Sequence, residues 1–169
     1  MPGIYAIGDV VGRWLLAHVA SHQGLVAADN ACGVGATMHY DAVPSVIFTD
    51  PEVATVGMTL EKAKIAGFDA IKAKFPFQPL GKAQAIFETE GFAQLVVERK
   101  TQRILGAQVI GHEATSLIAE VTSAIHNELT SESISETIHA HPTFPEGWAE
   151  AALLAQGLPL HLPPARARR

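Results

Sequence analysis

The chain has 169 residues, of which 48% are hydrophobic and 17% charged, and its formal net charge is −5. This length and composition suit one full domain with a buried core and part of a second, and they exclude a chain that is disordered throughout. The acidic balance offers no electrostatic basis for binding nucleic acid, and no apolar run reaches the length of a membrane span.

The first 34 residues are typical of the end of an α/β unit. Residues 4–7, "IYAI", predict a strand, and residues 12–32 predict a helix. Asp9 follows the strand, where α/β sheets bind ligands, so it could accept a hydrogen bond from a sugar or ribityl hydroxyl. A turn or helix-cap role is the alternative, and the spacing alone favours it. The chain contains neither a GxGxxG nor a P-loop motif, so it holds no complete nucleotide site.

After the glycine-rich break at residues 33–37, the pattern predicts an α+β domain. Two short β-branched runs flank Asp50-Pro51, and a helix follows with Thr59 as its N-cap and Gly67 just past its end. Further strands are predicted at residues 70–77, 91–99 and 103–111, and further helices at residues 113–130, 131–138 and 145–156. This order predicts an antiparallel β-sheet with its flanking helices on one side.

The stretch "HAHPTFPE", residues 139–146, places two histidines before the last helix. Thr143 and Glu146 fit a capping box, with Thr143 as N-cap, which explains Glu146 but not His141. A residue before proline is held in extended backbone, which could bring the His141 imidazole to Glu146. A carboxylate on one ring nitrogen raises the basicity of the other, and such a pair suits proton exchange with a thiol. A metal site formed with His139 is the alternative.

Three further features have plainer interpretations. Cys32 is the only cysteine and can form neither an intramolecular disulfide nor a zinc site, which is typical of a reducing compartment such as the cytoplasm or the mitochondrial matrix. Residues 163–169, "PPARARR", predict a disordered basic tail, with docking to an acidic partner as the alternative. The apolar face of the last helix, which includes Trp148, Ala152 and Leu153, would suit a dimer contact.

Five segments in order resemble the flavin-dependent disulfide reductases. They cover nearly the whole chain before the arginine tail and read "GIYAIGDV", "LLAHVASHQG", "VPSVIFTDPEVATVGMT", "LGAQVIGHEATSLIAEV" and "HAHPTFPE". "HAHPT" and the ending "LPLHLPP" are similar to the branch that oxidises dihydrolipoamide with NAD. An enzyme like glutathione reductase or mercuric reductase is the alternative within the family.

The resemblance implies a role for each part of the chain. Residues 1–34 would be the C-terminal remnant of the FAD-binding domain, and residues 35–162 the interface domain that forms a homodimer. Asp9 would hydrogen-bond the ribityl chain of FAD, and the backbone at Leu16, Ala17 and His18 would lie near the flavin. A lipoyl-bearing multienzyme complex would be the partner, with no role for nucleic acid or a membrane.

The resemblance also implies how the histidine pair would act. His141, after which a cis peptide leads to Pro142, would be the acid–base residue that reaches the partner subunit's flavin and redox disulfide, and Glu146 would orient it. Phe144-Pro145 departs from the smaller residues expected there and could alter access to the site. The family's FAD fingerprint, NAD-binding loop and redox cysteines lie upstream. The chain alone is therefore expected to be inactive and not to retain FAD, and a non-catalytic dimerisation module is the alternative.

Overall fold

The computed structural model of the chain describes residues 3–163, so most of the predicted basic tail lies outside the described residues. The chain divides into two compact units between Val43 and Pro44. The glycine-rich break at residues 33–37 lies within the first of these units.

The first unit contains a 3₁₀ turn, Gly8–Val11, and helix α1, Ala17–Ala31. The predicted strand at residues 4–7 does not form, because no described strand lies beside it to complete a hydrogen-bonded ladder. The buried amide of Gln23 links the unit: its Oε1 accepts the Gly8 N–H at 2.7 Å, and its Nε2 donates to the Tyr40 hydroxyl at 3.0 Å. Polar contacts to one side chain of α1 thus hold the turn and the segment after the helix.

The second unit is built on one antiparallel sheet, as predicted. Its strands are β1 Ser45–Ile47, β2 Val53–Gly57, β3 Ala70–Pro76, β4 Gly91–Glu98 and β5 Ile104–Gly111. They lie in the order β1-β2-β5-β4-β3, and every neighbouring pair is antiparallel. The long strands β4 and β5 form the predicted hairpin. Strand β5 is the central strand and β4 lies beside it, so both have a neighbour on each side.

Five helices follow or interrupt the strands of this unit. They are α2 Leu60–Ile65, α3 Gly81–Ile86, α4 Ala114–His126, α5 Ser131–Glu136 and α6 Glu146–Gln156. Helix α2 begins and ends as predicted, because the Thr59 hydroxyl accepts the Lys62 N–H at 3.2 Å and Gly67 adopts a positive φ of 91°. The sequence pattern does not predict helix α3, since its six residues are too few to show a helical period. No helix within residues 3–163 is long and apolar enough to cross a bilayer.

The helices lie on both faces of the sheet, so the prediction of one covered face was wrong. On one face, Ala63 of α2 packs in a cluster with Val96 of β4 and Leu105 of β5. Helix α6 approaches the other face, where Gly147 lies close to Ala93 of β4. Ala93 and Val96 are three residues apart on one strand and therefore point to opposite faces.

Helix α6 is fixed in the core by Trp148, which is 1% exposed. Its indole N–H donates to the Leu117 carbonyl of α4 at 3.0 Å, so the buried ring is also satisfied as a hydrogen-bond donor. Ala152, one turn later, is fully buried. The prediction that Trp148 and Ala152 face a dimer contact was wrong, because this face packs within its own unit.

Candidate acid–base site

His141 and Glu146 lie together at the start of α6. The His141 Nδ1 and Glu146 Oε1 atoms are 2.8 Å apart. Because a carboxylate only accepts hydrogen bonds, Nδ1 carries the proton, and in a neutral imidazole Nε2 then has the free lone pair. The structure therefore brings together the two residues that the sequence predicted as a pair and presents Nε2 as the basic atom.

The second carboxylate oxygen of Glu146 fixes the loop itself. It accepts the backbone N–H of Thr143 at 2.8 Å, whereas the Thr143 hydroxyl donates to the Ala140 carbonyl at 2.6 Å. The helix begins at Glu146, and Pro145 occupies the N-cap position. Only the glutamate half of the predicted capping box forms, and Thr143 is not the N-cap because its hydroxyl closes the loop before the helix.

The histidine of the pair is exposed and the glutamate is largely buried, so the imidazole is the group that a substrate can reach. The His141 side chain is 72% exposed, and the Glu146 side chain is 19% exposed. No residue among 3–163 hydrogen-bonds His141 Nε2, so that atom is accessible. The ring lies against Gly81, where an added Cβ would meet His141 Cε1 at 3.4 Å, in van der Waals contact. The peptide between His141 and Pro142 is cis.

His139 lines the same part of the molecule as this pair but is bonded to different groups. Its side chain is 8% exposed, with Nδ1 2.8 Å from the Thr137 carbonyl and Nε2 2.9 Å from Glu120 Oε1 of α4. Both ring nitrogens therefore lie within hydrogen-bond distance of oxygen atoms. These contacts tie the histidine loop to α4. Within residues 3–163, no three His, Cys, Asp or Glu side chains are grouped to hold a metal ion.

Phe144 does not alter access to the His141 ring. Its side chain is 1% exposed and packs edge-on against Phe77, with ring centroids 5.2 Å apart. The bulky residue between Thr143 and Glu146 thus points into the core and anchors the loop from below.

The pair opens on a cavity of about 320 Å³. One face of α6 forms a wall, and the other walls come from the segment before α3, the end of α5 and residues 160–161. Two of its features were missed in the sequence: Glu150, one helical turn after Glu146, and His161, which Glu150 binds at 2.6 Å. The i, i+4 spacing of Glu146 and Glu150 was the only signal in the sequence that Glu150 lies beside the site. His161 is 11 residues from Glu150, so no local pattern indicated their contact.

A larger cleft, of about 590 Å³, lies elsewhere in the unit and includes Glu52 and His112. Glu52 Oε2 accepts the Thr115 backbone N–H at 2.9 Å and the Thr115 hydroxyl at 2.8 Å, at the first turn of α4. These bonds, with a smaller contribution from His112, hold the pKa of Glu52 below its ordinary value of 4.5, against the opposing effect of burial. The carboxylate acts here as a cap for α4, and the acid–base pair lies in the smaller cavity.

The predicted cofactor residues all lie in the first unit. Asp9 is exposed within the 3₁₀ turn, and its carbonyl accepts the Gly12 N–H at 2.9 Å. Leu16 immediately precedes α1, and Ala17 and His18 are exposed in its first turn.

The fold and this site have a counterpart among known proteins. Residues 43–152 match the dimerisation domain of the pyridine nucleotide-disulphide oxidoreductases. The chain therefore belongs to this family of flavoprotein disulfide reductases.

Within this family, the chain is similar in sequence to proteins named dihydrolipoyl dehydrogenase. The chain is 57% identical over 164 residues to dihydrolipoyl dehydrogenase of Chlamydia pneumoniae, covering 97% of this chain and 36% of the relative. It is 48% identical over 162 residues to that of Geobacillus stearothermophilus, covering 96% and 34%. Residues 43–152 are thus a dimerisation domain of this family, and nearly the whole chain is similar to dihydrolipoyl dehydrogenases while spanning about a third of their length.

Solved structures agree on the fold. LpdA of Mycobacterium tuberculosis superposes with a TM-score of 0.82 at 29% identity, covering 88% of this chain and 33% of that one. The HOCl-induced flavoprotein disulfide reductase RclA of Escherichia coli gives a TM-score of 0.80 at 26% identity, covering 89% and 35%. The predicted antiparallel sheet with flanking helices and the predicted family are both confirmed.

Proposed function

We propose that this chain is the C-terminal part of an enzyme that oxidises dihydrolipoamide with NAD, and that His141 and Glu146 are its acid–base pair. The observation that carries the proposal is the 2.8 Å contact between His141 Nδ1 and Glu146, with Nε2 left accessible. Oxidation of a dithiol to a disulfide removes two electrons and two protons. NAD takes up both electrons and one proton as a hydride, and the other proton is released.

The pair is suited to the first proton transfer of this reaction. The thiolate rather than the thiol attacks a disulfide, so a base must remove the thiol proton. Glu146 holds His141 in the tautomer whose Nε2 can accept that proton, and it stabilises the imidazolium that results. The imidazolium can then stabilise a nearby thiolate. His141 is thus assigned the proton transfer, and Glu146 is assigned its orientation.

The first unit has residues that fit FAD. Asp9 is exposed, and no residue among 3–163 hydrogen-bonds its carboxylate, which leaves it available to accept from the hydroxyls of a ribityl chain. Leu16 has no side-chain cap on α1, so the beginning of that helix is open to a polar ligand. We assign Asp9 and the backbone at Leu16, Ala17 and His18 to FAD binding. FAD, when bound, supplies the route by which the electron pair reaches NAD.

The domain type supports two further assignments. We propose that the chain pairs as a homodimer through its second unit, and that His141 serves the flavin and redox disulfide of the partner subunit. The expected complex partner is a component that bears the lipoyl group. A thiol-dependent reaction suits a reducing compartment, which we propose to be the cytoplasm.

The test is substitution of His141 in the full-length flavoenzyme. For His141→Gln, kcat for dihydrolipoamide oxidation should fall by about 10² to 10⁴, the usual contribution of general acid–base catalysis. For Glu146→Gln the loss should be smaller, because Nε2 remains present. Reduction of ferricyanide by NADH should be unchanged in both variants, since it involves no thiol proton.

The matched control is His126→Gln, which removes an exposed histidine at the last turn of α4, outside the cavity. A His141→Gln enzyme that retained the dihydrolipoamide activity of this control would contradict the proposed role of His141.

The chain alone has a second candidate function, that of a dimerisation module without activity. The observation that favours it is that the chain spans about a third of its relatives. A dimeric mass in solution and no flavin absorbance would support it. A yellow sample that oxidised dihydrolipoamide would contradict it.

A further inference from the structure

Another imidazole–carboxylate pair involves Glu150, one helical turn after Glu146. Glu150 Oε1 is 2.6 Å from His161 Nδ1, and Glu150 Oε2 accepts the His161 backbone N–H at 3.3 Å. The Glu150 side chain is 4% exposed, whereas that of His161 is 57% exposed. Burial of a polar group is costly unless it is hydrogen-bonded, so the two contacts with His161 stabilise the buried Glu150 side chain.

This pair folds the end of the described chain back along α6. The helix ends at Gly157 with a φ of 77°, and the Leu158 N–H donates to the Leu153 carbonyl at 2.9 Å. Glu150 lies six residues before the end of α6, about 9 Å back along the helix axis at about 1.5 Å per residue. Residues 158–161, the return segment, therefore run back toward the histidine loop and do not extend away from it.

The return segment is part of the cavity that contains His141. Leu160 and His161 line this cavity of about 320 Å³, together with Leu80 and with Leu153 of α6. Leu160 is 71% exposed, so its side chain stands at the rim. An apolar rim beside a basic imidazole is complementary to a hydrocarbon chain that ends in thiols.

We propose that Glu150 and His161 are positioning residues that hold Leu160 as the apolar wall of the thiol-substrate cavity. Leu160 would then set the affinity for the alkyl part of the dithiol. Glu150 would act through His161, and His161 through the placement of the return segment. The identity of the substrate rests on the function proposed above, but the link between Glu150 and the return segment does not.

The first test compares two leucines of the return segment in the full-length flavoenzyme. Leu160→Ala should raise KM for dihydrolipoamide about tenfold with kcat within about twofold, since lost apolar contact in a substrate pocket is worth about 10- to 200-fold. Leu158→Ala is the matched control, because Leu158 is 63% exposed and does not line the cavity. Equal KM values for the two variants would overturn the role of Leu160.

The second test examines the positioning residues. His161→Ala and Glu150→Ala should raise KM as Leu160→Ala does, and Glu150→Gln, which keeps an acceptor oxygen, should restore part of the affinity. Reduction of ferricyanide by NADH should be unchanged, which separates these effects from a general loss of folding. A fall in kcat with unchanged KM would contradict a positioning role.

The third test uses amide hydrogen exchange on this chain and needs no substrate. Exchange at His161 should be at least about tenfold faster in Glu150→Ala than in the wild type, because the N–H loses its acceptor. Equal exchange rates would overturn the link even if the enzyme oxidises dihydrolipoamide. The wild-type enzyme could fail to oxidise dihydrolipoamide while Glu150→Ala still exchanged faster. That result would refute the proposed function and the substrate role of Leu160, but not the contact between Glu150 and the return segment.

Discussion

The two units of this chain differ in how far they bury their apolar residues. In the first unit, Val10 is 81% exposed and Leu15 is 68% exposed, although both belong to apolar stretches. In the second unit, Phe75, Leu95 and Val97 are fully buried. Helix α1 buries only Val19 and Gln23, whereas α4 buries five residues of one face.

This difference shows that an apolar pattern identifies a surface to be covered but not what covers it. The second unit contains five strands and five helices that cover one another. The first unit contains one helix and one 3₁₀ turn among its described residues. In the full-length flavoenzyme proposed above, we expect the exposed apolar residues of the first unit to be covered by segments that the longer relatives contain.

The largest expected effect is at Trp148, in the core of the second unit. Trp148→Ala should lower the free energy of unfolding by about 3–5 kcal/mol, because it opens a cavity and removes the hydrogen bond to Leu117. Urea denaturation followed by circular dichroism measures this. Trp14→Ala, at a half-buried position of the first unit, should lower the free energy of unfolding by clearly less. Equal losses in the two variants would contradict the difference in burial between the units.

A smaller effect is expected at Glu52, the cap of α4 in the second unit. Glu52→Gln should cost about 0.5–1 kcal/mol at neutral pH, because a hydrogen-bonded cap loses its charge at a partly solvated site. The pKa of Glu52 is held below its ordinary value of 4.5, so its stabilisation is complete above about that pH and is lost as the pH falls through the folded-state pKa.

The measurement is therefore a pair of stability curves against pH. The gap between wild type and Glu52→Gln should be constant near neutrality and close in acid. A gap that widened as the pH fell below 4.5 would have the wrong sign for a depressed carboxyl pKa.

The smallest effect is expected at Val10, in the first unit. Val10→Ser should change the stability of this chain by less than about 0.5 kcal/mol, since the side chain is 81% exposed. Val97→Ser, at a fully buried position of β4, is the matched control and should be strongly destabilising. In the full-length flavoenzyme, Val10→Ser should become destabilising if this surface is covered there.

The sequence predicted the second unit more fully than the first for a physical reason. Strands β4 and β5 have alternating or continuous apolar runs with a hairpin between them, and Thr59 and Gly67 mark the ends of α2 through local backbone chemistry. Residues 4–7 have the same strand propensity but no described neighbour, so the prediction failed there. Propensity is local, whereas a strand exists only as part of a sheet.

The candidate site shows the same division. His141 and Glu146 are five positions apart, and Pro142 restricts the backbone between them, so their pairing followed from the sequence. The partners of His139 and His161 did not, because Glu120 is 19 residues and Glu150 is 11 residues away along the chain. The domain boundaries predicted at residues 34 and 162 remain predictions, as do the cofactor contacts of Asp9, Leu16, Ala17 and His18.

The sequence by itself determined the five strands of the antiparallel sheet and the His141–Glu146 pair, since each depends on residue spacing over a few turns or one hairpin. Only the tertiary structure decided that helices cover both faces of the sheet and that Trp148 lies inside the unit. It also decided that Thr143 does not cap α6 and that Glu150 contacts the return segment. These features depend on contacts between residues that are distant in the chain or on competition between hydrogen-bond partners, and neither is set by local spacing.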